Sequence, residues 1–168
     1  MRAYPSYREA ALYLGLFASA WGCGTETESP TGPTLAASSA AAALVFGQLS
    51  AGREYSCGVT GDGRAFCWGR NASGQLGDGT TQSRLTPVPV AGALRFRQIS
   101  AGFSTTCGVT TEFRAYCWGV NASGQLGDGT TTPRLTPVAV AGGKRFRRLD
   151  TNLEHTCGVS YPDNLVYC

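Results

Sequence analysis

From residue 46 onward, short apolar or β-branched runs alternate with clusters of Gly, Asp, Asn, Ser and Thr. Phe46-Gly-Gln-Leu-Ser50 and Glu54-Tyr-Ser-Cys-Gly-Val-Thr60 have the length and residue types of strands. Gly61-Asp62-Gly63 predicts a tight turn, because glycine accepts positive φ without steric cost. Ala65-Phe-Cys-Trp68 then returns as the partner strand, and Asn71 to Gly79 reads as a loop rich in residues that accept left-handed backbone. Leu85 to Val90 extends again, with Pro87 and Pro89 suiting a sheet edge, where a missing N–H costs no ladder bond. No segment after residue 46 sustains helical periodicity. The pattern predicts an all-β fold.

The pattern also repeats. Residues 51–100 align with 101–150 without a gap, and 33 of the 50 positions are identical. A third copy opens at Phe146 and runs to Cys168, so the units are 46–95, 96–145 and the partial 146–168. A period of this size points to a solenoid, propeller or other array, in which recurring positions serve packing that every copy must satisfy.

The N-terminal stretch has a different character. In residues 1–23, Arg2 and Arg8 precede the apolar run from Ala10 to Ala20, and small residues lead to Cys23. The run is too short to span a bilayer as a mature helix, which needs about 20 residues, and fits a secretory signal. Ala20-Trp21-Gly22-Cys23 is similar to a bacterial lipoprotein cleavage box, with Cys23 the residue that would carry the lipid. Ala20 and Trp21 depart from that box, so conventional cleavage without lipid also fits. Residues 24–45 are of low complexity, rich in Ser, Thr, Pro and Ala, and bury too little to offset ordering entropy. They read as a tether, which as a flexible chain of about 20 residues would span roughly 25 Å.

Composition narrows the classes. With 168 residues, 42% apolar, 15% charged and 23 Gly, the chain is neither a coiled coil nor mostly disordered. A net charge of +3 is too mild to imply a nucleic-acid partner.

The run from Cys57-Gly-Val-Thr60 through Ala65-Phe-Cys-Trp-Gly69 to Asn71-x-x-Gly-Gln-Leu-Gly77 resembles the regulator of chromosome condensation repeat. Cys107-Gly-Val-Thr110, Ala115-Tyr-Cys-Trp-Gly119 and Asn121-x-x-Gly-Gln-Leu-Gly127 carry it again, and the resemblance covers about 46–168. It implies a β-propeller in which about seven units each supply one four-stranded blade. Two copies and part of a third are then an incomplete propeller, expected to be a fragment or a self-associating chain with open edges. The best-known activity of that family is guanine nucleotide exchange on a small GTPase; no residue here matches the loops that carry it.

Seven cysteines divide into Cys23 and three repeat-equivalent pairs, Cys57/Cys67, Cys107/Cys117 and Cys157/Cys168. Three-residue turns at 61–63 and 111–113 put the first two pairs directly opposite across a hairpin, where a disulfide fits. The last pair is one residue further apart, so it faces only across an even-numbered turn such as Tyr161–Asn164. Export favours oxidation, while free buried cysteines are the intracellular alternative. A metal site is disfavoured: there is no Cys-x-x-Cys, and the single His155 aligns with Tyr55 and Thr105.

Other chemistry is thin. Trp68 and Trp118 beside the second cysteine are expected in core packing between units. Asp62, Asp78 and Asp128 are turn residues without a calcium-loop pattern, and the Gly-Gln-Leu-Gly-Asp-Gly runs lack a phosphate loop's Lys-Ser/Thr. A hydrolase triad would have to use His155. Asn71-Ala-Ser73 and Asn121-Ala-Ser123 match glycosylation sequons inside the recurring loop. Arg95, Arg97, Lys144, Arg145, Arg147 and Arg148 gather at unit boundaries, a solvated rim by default and an anion-facing one as the alternative. The chain is therefore expected to be a non-enzymatic, cofactor-free binding module, exported to the cell envelope or beyond, with an unidentified protein or envelope ligand; nucleotide exchange is the alternative.

Overall fold

Each hairpin begins from a turn that the sequence makes cheap. Gly63, at φ 82°, donates its N–H to the Thr60 carbonyl at 2.9 Å, and Thr60 N–H donates to the Arg64 carbonyl at 2.9 Å. The computed structural model describes residues 43–168; the expected export signal, Cys23 and nearly all of the expected tether lie outside them.

The chain forms β1 (Phe46–Ala51), β2 (Tyr55–Thr60), β3 (Ala65–Gly69), β4 (Arg84–Pro89), β5 (Phe96–Ala101), β6 (Thr105–Thr110), β7 (Ala115–Gly119), β8 (Arg134–Ala139), β9 (Phe146–Thr151), β10 (Thr156–Ser160) and β11 (Val166–Tyr167). Among the described residues a single 3-10 turn, Ala141–Gly143, interrupts them. The strands make three antiparallel sheets, ordered β1-β2-β3-β4, β5-β6-β7-β8 and β9-β10-β11. Pro87 and Pro89 lie on β4, which among the described residues is an edge strand paired with β3 alone, as their missing N–H groups require.

Successive sheets pack face against face, β2 on β5 and β6 on β9, while β1, β5 and β9 neighbour one another as the innermost strands. That is the radial stacking of a propeller, and among the described residues the sheets do not close into a ring. One core cluster joins Tyr55, Leu76, Phe96, Ile99 and Trp118 across the first contact; Val109, Leu126, Phe146 and Leu149 join across the second. Small inward residues such as Gly58 and Gly108 let Phe46 and Phe96 lie flat on the neighbouring strand.

Register follows from turn length. Cys57 faces Cys67 and Cys107 faces Cys117. In the third sheet Gly158 pairs with Tyr167 and Val159 with Val166, so the longer turn 161–164 restores the same facing. Antiparallel pairing also divides the molecule into two ends. The starts of β1, β5 and β9 lie with the β2–β3, β6–β7 and β10–β11 turns at the hairpin end. The long loops 70–83 and 120–133 lie at the other, the loop end.

Candidate protein-interaction surface

The recurring loop is built around one buried asparagine. Asn71 is fully buried; its Nδ2 donates to Asp78 Oδ1 at 3.1 Å, Thr80 O at 3.0 Å and Gln82 O at 3.1 Å. Its Oδ1 accepts Leu76 N–H at 2.9 Å. Asn121 repeats the set with Asp128, Thr130, Thr132 and Leu126. A side chain that satisfies four backbone and side-chain partners in the interior organises the loop and leaves its sequon inaccessible. Asp78 and Asp128 also hold Arg84 and Arg134. Burial acts against the charge of Asp78, yet hydrogen bonds from Thr80, Asn71 and Arg84 outweigh it and lower its pKa. At Asp128 the hydrogen bond from Thr130 leads, burial opposes it, and Arg134 adds to the fall, to about 2.

Hydrogen bonds recurring at a spacing close to the repeat length join one sheet to the next. Gln48 donates Nε2–H to Ile99 O at 2.8 Å and accepts Ile99 N–H on Oε1 at 2.9 Å. Gln98 does the same to Leu149, at 2.7 and 3.0 Å. Ser50 accepts Ala101 N–H at 2.9 Å, and Ser100 accepts Thr151 N–H at 3.1 Å. Trp118 donates Nε1–H to Gln75 O at 2.9 Å against Gly77, where a Cβ would stand 2.5 Å from that nitrogen. Trp118 is thus the packing residue between units that its recurrence predicts. Trp68 instead packs tilted on Phe46, ring centroids 5.6 Å apart, and stays half-buried. Tyr55 donates Oη–H to Thr105 O at 2.8 Å, and burial drives its pKa far up.

The other sequence candidates have definite places. Each cysteine pair is joined across its hairpin, with Cα atoms 4.1 Å apart in all three. His155 is exposed in the β9–β10 connection, where its carbonyl accepts Asn152 N–H at 3.2 Å. Asp62 sits in the hairpin turn, its carboxylate taken up by Thr60 and by Arg64 at 2.7 Å.

Most of the unpaired arginines gather at one end, although Arg64 at that end is paired with Asp62 and Arg53 at the other lies over Phe103 instead of a carboxylate. At the loop end Arg70, Arg84 and Arg134 each meet a carboxylate. At the hairpin end Arg95, Arg97, Arg114, Lys144, Arg145, Arg147 and Arg148 are exposed and make no ion pair among the described residues. Two aromatic residues that periodicity did not single out organise that end. Phe113 and Tyr161 stack across the second sheet contact, centroids 4.1 Å apart and 11° between planes. Arg97 lies over Phe113 at 4.4 Å, and Arg147 over Tyr161 at 5.6 Å. The available signal was Phe113 itself, which replaces Gly63 of the preceding copy at a turn position needing positive φ.

Comparison with known proteins agrees with this architecture. The model of the regulator of chromosome condensation (RCC1) repeat matches residues 62–109 and 114–159, and a second model of the same repeat matches 48–75 and 96–125. The segment 62–109 starts in one hairpin turn and ends in β6 of the next sheet, so one family unit carries both sides of a sheet contact. No curated protein sequence matches. Among solved structures, Prp20p of Saccharomyces cerevisiae, described with its binding to Gsp1p and histones, is similar with a TM-score of 0.63 and 18% identity over 71% of this chain. Human WBSCR16 gives a TM-score of 0.61 at 19% identity over 70% of this chain. The ectodomain of the Physcomitrella patens receptor kinase CR4 gives 0.52 at 23% over 74%. The chain spans 32%, 32% and 29% of those three proteins, respectively. These likenesses show the β-propeller fold, and with the repeat matches covering more than half of its length, the chain belongs to the regulator of chromosome condensation repeat family.

Proposed function

We propose that this chain is a non-enzymatic protein-binding module, exported and anchored to the cell envelope through a lipid on Cys23. One observation carries the binding reading: the recurring polar residues of the loop are committed to the scaffold, whereas positions 61 and 62, which differ between copies, stand exposed in the hairpin-end turn. Asn71, Gln75, Asn121 and Gln125 are buried, and Asp78 and Asp128 are locked to arginines. Positions 61–62 change from Gly-Asp to Thr-Glu in the next copy, and the place of Gln98, which clamps Leu149, is taken by the exposed Arg148 in the third. A constant frame with a variable end is how repeat arrays present binding surfaces. Exposure of the chain to crosslinking in envelope material should yield a saturable protein partner; absence of any would remove the reading. Nucleotide exchange is the rival activity, and stimulated nucleotide release from candidate GTPases would replace it.

Export is supported by the basic, apolar and small-residue order of residues 1–23 and by three cysteine pairs at bonding positions. Mass spectrometry of the chain made in a bacterial host tests the anchor. The expected product begins at Cys23 and carries acyl mass; a product cleaved elsewhere without lipid defeats the anchor while leaving export standing.

A further inference from the structure

We infer that the hairpin end is a preorganised docking surface for an acidic, carboxylate-rich segment of a protein partner, centred on Arg97, Arg114, Arg145 and Arg147. This rests on the protein-binding reading and names the face and the chemistry of the partner.

Three observations carry it. The first is conformational. Phe113 holds φ 65° where the preceding copy has Gly63 at φ 82°, and a bulky residue in that region costs free energy that glycine avoids. What the chain gains there is the ring stacked on Tyr161, with Arg97 over it. The stack fixes two guanidinium groups that a flexible surface would leave mobile, lowering the ordering entropy lost on binding.

The second is electrostatic. The backbones of Arg114 and Arg145 are bridged antiparallel just outside the second and third sheets, which brings two exposed cationic residues opposite each other. Like charges held together are unfavourable until an anion lies between or across them. The nearby carboxylate of Glu112 is engaged by Thr111 Oγ1. Arg70, Arg84 and Arg134 at the loop end have carboxylate partners within the chain, whereas Arg97, Arg114, Arg145 and Arg147 have none among the described residues.

The third decides between polyanions. Phe113 and Tyr161 cover each other and lie beneath guanidiniums, so no ring face is left for the base stacking on which single-stranded nucleic acid binding depends. Glu112 and Asp163 are exposed in the turns of this end and would repel a continuous anionic plane such as a lipid surface. Spaced carboxylates on a polypeptide can pass them and meet planar guanidinium forks in bidentate pairs.

The test titrates fluorescent poly-L-glutamate, a heparin oligosaccharide, a single-stranded DNA oligonucleotide and anionic phospholipid vesicles against the full chain at two salt concentrations. Poly-L-glutamate should bind saturably, more weakly at higher salt, and most tightly of the four. The Arg97→Gln/Arg147→Gln pair should weaken it about ten- to a hundredfold, the scale of lost charge-assisted hydrogen bonds. Phe113→Gly, which relieves the turn and so keeps the fold, should weaken it severalfold, and Arg70→Gln at the loop end should leave it unchanged. Absent poly-L-glutamate binding, equal binding by the variants, or tighter binding to heparin, DNA or vesicles would each overturn the inference. If the arginine double variant still captures the partner that the wild-type chain captures, the inference falls and the binding reading stands. If the wild-type chain captures no protein, that reading falls by itself, and the titration still decides the chemistry of this face.

Discussion

Asp128 shows how much of this fold rests on single side chains. Thr130, Arg134 and Asn121 hold its carboxylate, and its pKa falls to about 2. A carboxyl whose folded pKa lies below its unfolded value stabilises the native state above the unfolded value, near 4, and that contribution disappears as pH drops to about 2. The stability advantage of wild-type protein over Asp128→Asn should therefore shrink between pH 4 and 2 and stay level from 5 to 8, as thermal unfolding across pH would record. Trp118 and Trp68 form a second pair of tests, because they are repeat equivalents in different surroundings. Trp118→Phe removes an indole N–H bond and leaves part of a packed slot empty, at a cost of about 1–3 kcal/mol. Trp68→Phe, at a half-buried site on Phe46, should cost about 0.5 kcal/mol or less. Urea unfolding of both variants measures the contrast. Recurrence made both tryptophans legible as packing residues, but it assigned them equal weight. Their difference arises because the Gln75–Gly77 loop covers Trp118 alone.

Strands, turns and register were readable from local sequence because each depends on residues within about ten positions. Three-residue turns forced Cys57 opposite Cys67 and Cys107 opposite Cys117, and the prolines of β4 required an edge. Contacts between sheets were not readable, since their partners lie about 50 residues apart. Gln48 and Gln98 recur, yet only stacking of β1, β5 and β9 reveals that each amide clamps both polar groups of a residue in the next sheet. Gln98→Ala leaves Leu149 N–H and C=O without that clamp, a loss of about 1–3 kcal/mol at the second contact. Hydrogen exchange should quicken at Leu149 and its β9 neighbours, with β2 and β3 unchanged. Equal protection in both proteins would show that the clamp contributes nothing.

At the scale of the whole molecule, three short cysteine loops brace sheets that do not close on one another among the described residues. By loop-closure entropy each bond would stabilise its hairpin by about 2–3 kcal/mol. Protein recovered from an oxidising compartment should show no free thiol at the six positions, and reduction should lower its melting temperature. Six alkylatable thiols before reduction would refute the pairing. The sequence by itself determined the all-β class, the fifty-residue period and the facing of cysteines across hairpins, because these follow from periodicity and turn length, and its recurring Cys-Gly-Val-Thr, Cys-Trp-Gly and Asn-x-x-Gly-Gln-Leu-Gly residues carried the resemblance to the family. It also showed arginines gathering at unit boundaries. Only the tertiary structure decided that they share one end, that Arg84 and Arg134 at the other end are paired with carboxylates, and that Phe113 and Tyr161 stack beneath two of them. Ion pairing and stacking join residues from different sheets, and their energies depend on distance in space, which no spacing along the chain encodes.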